Sequence, residues 1–390
     1  MKKRFQQFLN DLPSKLSRIT SSGKYIKEID GLRFFAIAPV VVQHLSERLI
    51  KTGVNIEENY FSYLVSRGFI GVFIFFVISG FVLALPFASY HNHGGKKINL
   101  KFYFIRRLTR LEPPYIIIMT ILFIAFIIYT ASSFKETFPH YIASIFYLHN
   151  FIYNIYTPIN PVAWTLEVEV QFYILAPLLT FLIFKFNNKL VRRTLLIISI
   201  LLLLIMQNIF GWWHRPGSLM IIGHLHLFLV GFLLADMYLC NWDGIKINKL
   251  FMDIIALITF PIIIIIRSPL FIDQLIFTLC LFLFFYAAFN SSVFNKLVSR
   301  KWIMIIGGMC YTIYLIHLAF AELFVKLSKV LVIGNSYYLN LLIQLAIFLP
   351  LLFIISSIFF ILIEKPCMDR KWPDKIKNFI IKKKLVKVKT

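Results

Sequence analysis

The chain has 390 residues, of which 59% are hydrophobic and 15% are charged, whereas soluble domains are about 45–50% apolar. This composition, with a mean hydropathy of +0.78, excludes an ordinary soluble enzyme, and 17% aromatic residues exclude a disordered chain. Four scattered cysteines without a CxxC pair indicate neither a disulfide framework nor a zinc site, so the remaining class is an all-α, polytopic membrane protein.

Ten segments have the roughly 20 mostly apolar residues that a transmembrane helix needs. In chain order they are 31–50, 68–88, 113–131, 164–185, 194–210, 219–239, 250–266, 270–290, 303–325 and 337–363. The first begins 30 residues into the chain and ends without the small-residue cleavage site of a signal peptide, so we interpret it as a retained anchor. The stretch 141–153 is apolar but short, and we expect it to be re-entrant or interfacial.

Lysines and arginines predict the orientation. If the N-terminus is cytoplasmic, the inside segments carry 32 of the 41 lysine and arginine residues and the outside segments carry 8. Positive charge favours the cytoplasmic side, so we predict that both termini are cytoplasmic. The organisation is then an N-terminal segment over 1–30, a transmembrane domain over 31–363 and a basic tail over 364–390. Most of the net charge of +23 reflects this orientation, and the tail suits anionic lipid better than nucleic acid.

The first span carries two ionisable side chains, Arg33 and His44. A charge near the bilayer centre costs about 2.5–3.5 kcal/mol on insertion scales, which makes such residues functional candidates. Eleven positions separate the two, so a helix places them on one face about 16 Å apart, and Pro39 between them predicts a kink. A neutral imidazole accepts protons, so His44 is a candidate general base. The alternative is a structural histidine that bonds between helices.

Three arginines precede the third span. Arg106 and Arg110 share a helical face, with Arg107 beside them. We expect Pro113 and Pro114 to end this helical turn and begin the next span. Guanidinium groups bind phosphates through bidentate, charge-assisted bonds, so the cluster suits an anionic phosphate ligand. Taken by itself, the cluster is more simply a group of positive charges on lipid headgroups.

Two carboxylates, Glu167 and Glu169, lie at the start of the fourth span. Residues two apart point about 200° apart on a helix, so both cannot face one cavity. A carboxylate facing His44 would orient the imidazole as the third member of a catalytic triad does. His317, in the ninth span, is more often a structural residue than a substrate contact.

These residues fall within six short motifs. In chain order the motifs are Asp30-Gly31-Leu32-Arg33 followed by His44, Phe75-Phe76-Val77-Ile78-Ser79-Gly80-Phe81, Arg107-x-x-Arg110 followed by Pro113, Trp164-Thr165-Leu166-x-Val168-Glu169-x-x-Phe172-Tyr173, Tyr311-x-x-Tyr314-Leu315-x-His317, and Glu364-Lys365-Pro366. Over about residues 28–366 the series resembles the integral-membrane acyltransferase 3 family, which includes bacterial O-antigen and exopolysaccharide O-acetyltransferases. Each motif is weak alone, but all six in this order are specific. The match selects Glu169 over Glu167, while Pro39 and Glu112 depart from the family pattern without replacing a motif residue.

The resemblance implies a multi-pass O-acyltransferase of the bacterial plasma membrane, with acyl-CoA, most often acetyl-CoA, as the donor and no metal. Its acceptor would be a hydroxyl of a cell-surface or exported glycan, directly or as a lipid-linked saccharide. Many members carry a further extracytoplasmic domain, which we do not expect in this chain. We therefore expect the chain to complete the transfer itself or to pass the acyl group to a separate protein.

For individual residues, the resemblance implies that Arg107 and Arg110, with Arg106, bind the donor phosphates. His44 would be the base or acyl acceptor, oriented by Glu169 or Arg33. The residues expected to contact substrate are Asp30, Ser79, Trp164, Tyr173 and His317.

Two other functions fit the same buried charges. A transporter or flippase for an anionic lipid or metabolite would use them as a pathway, and a non-catalytic subunit of a polysaccharide assembly complex would use them structurally. Only an acyltransferase consumes a thioester and releases free thiol, which separates it from both.

Overall fold

The computed structural model describes residues 11–19, 25–56, 58–244, 248–266, 268–369 and 372–374. The regular secondary structure in these ranges is helical. The α-helices from residue 27 onward are α1 (Lys27–Ile50), α2 (Tyr60–Ser66), α3 (Ile70–Asn92), α4 (Leu100–Thr130), α5 (Phe134–Ile145), α6 (His149–Tyr153), α7 (Trp164–Phe184), α8 (Lys189–Ile209), α9 (Leu225–Leu239), α10 (Lys249–Ile265), α11 (Phe271–Asn290), α12 (Val293–Val298), α13 (Lys301–Gly308), α14 (Cys310–Leu327), α15 (Tyr337–Phe359) and α16 (Lys365–Met368).

Seven helical segments of the described residues are long and apolar enough to cross a membrane. They are Ile70–Asn92, Leu100–Thr130, Pro161–Phe184, Lys189–Ile209, Phe271–Asn290, Cys310–Leu331 and Tyr337–Met368. The prediction of an all-α, multi-pass membrane protein is therefore confirmed, and seven rather than ten segments meet these criteria. The other three predicted spans are helical: α1 carries charges at both ends, and α9 and α10 have 15 and 17 residues.

Two predicted boundaries are wrong. Helix α4 continues through Pro113 and Pro114 for 31 residues, although proline removes a helical hydrogen bond. The Thr109 carbonyl, which Pro113 deprives of its amide partner, accepts a hydrogen bond from the Trp372 indole at 2.9 Å, so the helix loses less than the sequence suggests. The predicted span 303–325 is divided at Met309, where α13 ends and α14 begins.

Helix α3 lies at the centre of the bundle and packs against α1, α7 and α9. Two glycines permit its close approach to α9. A Cβ atom on Gly80 would overlap the Phe228 carbonyl, and one on Gly231 would overlap the Val77 carbonyl. These contacts bring the motif residues of α1, α3 and α7 into one region.

The described parts of both termini meet at one end of the bundle, which we call the terminal end. Lys365 Nζ donates hydrogen bonds to the carbonyls of Ser14 and Lys15 at 3.0 and 2.7 Å. Arg18 pairs with Asp30 at the start of α1 at 2.7 Å.

Candidate active site

A cavity of about 960 Å³ extends inward from the terminal end. The arginines around it are Arg18, Arg33, Arg106, Arg107 and Arg110. Farther along the helices from the terminal end, its lining includes Ser79, Tyr173, Phe75, Thr165 and Tyr314. The cavity therefore has a strongly basic mouth and a largely aromatic inner wall.

The arginines of α4 face the cavity through helical spacing. The Arg107 guanidinium carbon lies 3.6 Å from the centroid of the Tyr103 ring and 5.3 Å from that of Tyr173, a cation–π arrangement. Arg110 makes no hydrogen bond or ion pair with another described residue, and its Nε is buried without a partner. Glu364 and Asp30 act on its charge only from beyond ion-pair distance, so the hydrogen-bond donors of this guanidinium are available to an anionic ligand.

Asp30 anchors two further arginines of the cavity. Its Oδ1 accepts hydrogen bonds from Arg18 at 2.7 Å and Arg33 at 2.5 Å, and its Oδ2 accepts one from the Tyr25 hydroxyl at 3.0 Å. Asp30 is 2% exposed, and its carboxylate is covered by the arginines that it binds. The geometry therefore makes Asp30 an anchor for Arg18 and Arg33, where the sequence predicted a substrate contact.

Glu169 and Glu167 point to different surroundings, as their spacing predicts. Glu169 lines the cavity and accepts a hydrogen bond from Ser79 Oγ at 2.5 Å, which places two predicted residues together. Glu167 is fully buried and accepts a hydrogen bond from the Asn150 amide at 2.7 Å. Its carboxylate therefore satisfies an amide at the start of the short helix α6.

The partner of His44 is His317. The distance between His44 Nδ1 and His317 Nε2 is 2.8 Å, and His317 Nδ1 lies 2.8 Å from the Tyr314 carbonyl and 3.1 Å from the Ile313 carbonyl. His44 is partly buried and His317 is fully buried. His44 thus bonds to His317, whereas Glu169 and Arg33, the residues predicted to orient it, bond to Ser79 and Asp30.

Tyr314 stands between this histidine pair and the basic cavity. It lines the cavity, and its ring centroid is 5.6 Å from that of His317. Its hydroxyl is held by Thr165 Oγ1 at 2.7 Å and the Val162 carbonyl at 2.9 Å. Arg33 and the α4 arginines line this cavity together, whereas His44 is not among the described residues that line it.

Trp164 also lies outside the cavity lining. Its ring packs against Phe76, Tyr156 and His224, with centroid separations of 6.5, 6.2 and 5.7 Å. Trp164 is half-buried and is not among the described residues that line the cavity, so its predicted contact with substrate stays a prediction. Among the described residues, no three His, Cys, Asp or Glu side chains are placed to hold a metal ion.

Arg18, Tyr103 and Glu364 are polar residues of the cavity that were not identified as site candidates from the sequence. Arg18 comes from the N-terminal segment, which carries no motif. Tyr103 precedes Arg107 by four positions, a spacing at which helical side chains meet. Glu364, in a π-helical turn, lines the cavity, and its Oε2 accepts a hydrogen bond from Thr312 Oγ1 at 2.5 Å. The sequence shows the Glu-Lys-Pro motif, but it does not show that the Glu364 side chain points into the cavity.

Comparison with known proteins agrees with these features. A family model described as an acyltransferase domain, acyltransferase 3, matches residues 26–364. The O-acetyltransferase OatA of Staphylococcus aureus, in strains COL and MW2, is 29% identical over 355 residues, which is 82% of this chain and 53% of the relative. The chain thus spans about half the length of these curated relatives. No solved structure matches.

Proposed function

The chain belongs to the acyltransferase 3 family, and from this membership we propose that it moves an acyl group from acyl-CoA to a hydroxyl of a cell-surface or exported glycan. Acetyl is the proposed acyl group, because the relatives are O-acetyltransferases. The observation that carries the proposal is the basic cavity, in which Arg110 forms no direct ion pair or hydrogen bond with another described residue. The diphosphate and ribose phosphate of coenzyme A are anions of the kind that such a site binds.

The proposed topology has ten spans with both termini cytoplasmic, in the bacterial plasma membrane. The transmembrane domain covers 31–363, between a cytoplasmic segment over 1–30 and a basic tail over 364–390. The excess of positive charge on one side supports this orientation. The contact of Lys365 with Ser14 and Lys15 supports placing both ends together. The donor cavity would then open to the cytoplasm, where acyl-CoA is found.

In the proposed mechanism, Arg107 and Arg110, with Arg106, hold the phosphates of the donor at the cavity mouth. Arg33 and Arg18 add positive charge while remaining anchored to Asp30. Glu169 and Ser79 lie deeper, where the pantetheine arm would pass. The thioester reaches the inner wall, and His44 acts as the base for the incoming hydroxyl. Because Tyr314 closes that wall, its side chain must yield before the acyl group meets His44.

Thiol release tests the proposal directly. The protein is reconstituted in vesicles with its basic cavity accessible, supplied with acetyl-CoA and a glycan acceptor, and assayed for free thiol and for acetylated glycan by mass spectrometry. We expect thiol and acetyl ester to appear together. Transport of an anionic solute without loss of thioester would overturn the proposal and favour a transporter.

A further inference from the structure

The hydrogen bonds around His317 leave one arrangement of ring protons for the histidine pair. A carbonyl oxygen only accepts hydrogen bonds, so His317 Nδ1, at 2.8 Å from the Tyr314 carbonyl, must carry its proton. Neutral His317 then presents an unprotonated Nε2. The neighbouring His44 Nδ1, at 2.8 Å, must therefore be the donor between the two rings.

We propose that His317 is the positioning residue that fixes His44 in the Nδ1–H tautomer and leaves His44 Nε2 unprotonated as the reacting atom. His44 makes no other hydrogen bond within the described part of the chain, so its Nε2 is unoccupied by protein. The inference rests on the proposed function, because it assigns His317 a role through the base of that reaction rather than as a substrate contact.

The proton balance of the transfer follows from this tautomer. His44 Nε2 takes the hydroxyl proton as the acceptor oxygen bonds to the thioester carbon, and the carbon–sulfur bond breaks. His44 Nε2 then gives this proton to the departing thiolate, which yields free thiol and an ester. Throughout, His44 Nδ1–H remains bonded to His317, which orients the ring and stabilises its cationic form.

The position of His317 suits this role. It is fully buried on α14, which packs against α1, the helix that carries His44. One turn beyond the pair, Arg48 of α1 forms an ion pair with Glu322 of α14, with Nε and Oε2 2.7 Å apart. Two backbone carbonyls and an interhelical ion pair therefore hold the rings in register.

Nitrogen NMR of histidine-labelled protein in lipid tests the tautomer without any substrate. The His44 signals are assigned by their loss in His44→Gln. In the wild-type protein we expect protonated Nδ1 and unprotonated Nε2 at His44, and in His317→Ala a mixture with the other tautomer. The chain offers a matched control, because His140 Nδ1 and His149 Nε2 form a second pair at 2.9 Å, and His140→Ala must leave the His44 signals unchanged. A His44 tautomer that is unaffected in His317→Ala overturns the inference.

Steady-state kinetics separate positioning from general destabilisation. His317→Ala is expected to lower kcat about 10²–10⁴-fold, the range for general base catalysis, with an unchanged donor KM because the basic cavity is separate. His317→Gln retains an amide oxygen that accepts the His44 proton, and its kcat should stay within about tenfold of the wild-type value. Equal losses in the two variants, or a raised donor KM, would count against the positioning role. If His44→Ala remains active while the tautomer is as stated, the proposed function of His44 fails and the tautomer assignment stands.

Discussion

The arginines of the cavity differ in what balances their charge. Arg18 and Arg33 share the Asp30 carboxylate, and Arg107 lies against the Tyr103 ring. Arg110 has no direct bond of either kind, and Glu364 and Asp30 act on its charge only at longer range. A ligand phosphate can therefore bind Arg110 without breaking an existing hydrogen bond or ion pair of that guanidinium.

The first prediction concerns this residue. Arg110→Gln should raise the KM for acyl-CoA about tenfold or more, because a hydrogen bond to a charged group contributes about 1.5–3 kcal/mol. Donor titrations of thiol release measure the change. Lys101→Gln is the control, since Lys101 is an exposed cation of the same helix outside the cavity lining. An unchanged donor KM would leave Arg110 as a lipid or structural contact.

The second prediction concerns His44. His44→Ala should lower the rate of acyl transfer about 10²–10⁴-fold, the contribution of a placed general base, while the protein still inserts into the membrane. His93→Ala serves as the comparison, because His93 is exposed at the end of α3. Wild-type turnover in His44→Ala would remove the histidine from the mechanism.

At the scale of single helices, two properties were enough to select many of the candidate site residues: the 3.6-residue helical repeat, and the free-energy cost of placing a charge in the bilayer. The opposed directions of Glu167 and Glu169 follow from helix geometry alone. The pairing of His44 with His317 could not be predicted in this way, because it joins residues 273 positions apart. The continuation of α4 through Pro113 was missed for the same reason, since a distant indole satisfies its free carbonyl.

Helices α8 and α9 are joined by a buried ionic cluster that provides the third prediction. Asp236 is 1% exposed and accepts hydrogen bonds from Arg192 Nε at 2.7 Å and Arg193 Nε at 2.8 Å. Asp236→Asn leaves the buried Arg192 uncompensated, which costs about 3–5 kcal/mol. Thermal unfolding in detergent should therefore occur at a clearly lower temperature. Glu136→Gln, at an exposed position of α5, should have almost no effect, and a similar result for Asp236→Asn would contradict the structural role.

At the scale of the whole molecule, the class of protein was easier to predict than the number of crossings. Composition indicated a multi-pass helical protein, and the described residues agree. The count of apolar segments included α1, α9 and α10 as membrane spans, although these helices do not meet the length and hydropathy criteria that the other seven meet. Helix α1 carries charged residues and α9 is short, and both pack against α3. Hydropathy alone does not reveal this packing between helices.

The fourth prediction tests the topology. In a variant without the four native cysteines, Tyr60→Cys should react with an impermeant maleimide in intact cells, because residue 60 is 89% exposed on the predicted outer side. Ser17→Cys should react only after permeabilisation. Labelling of both positions in intact cells would contradict a cytoplasmic N-terminus.

The aromatic wall at Tyr314 has a consequence for cellular energetics. The hydroxyl of that ring is held by Thr165 and Val162, and the ring lies between the cavity and His317. In the proposed transfer, an acyl group would have to pass this one side chain. An open channel through the same helices would instead let protons leak down the transmembrane gradient between turnovers.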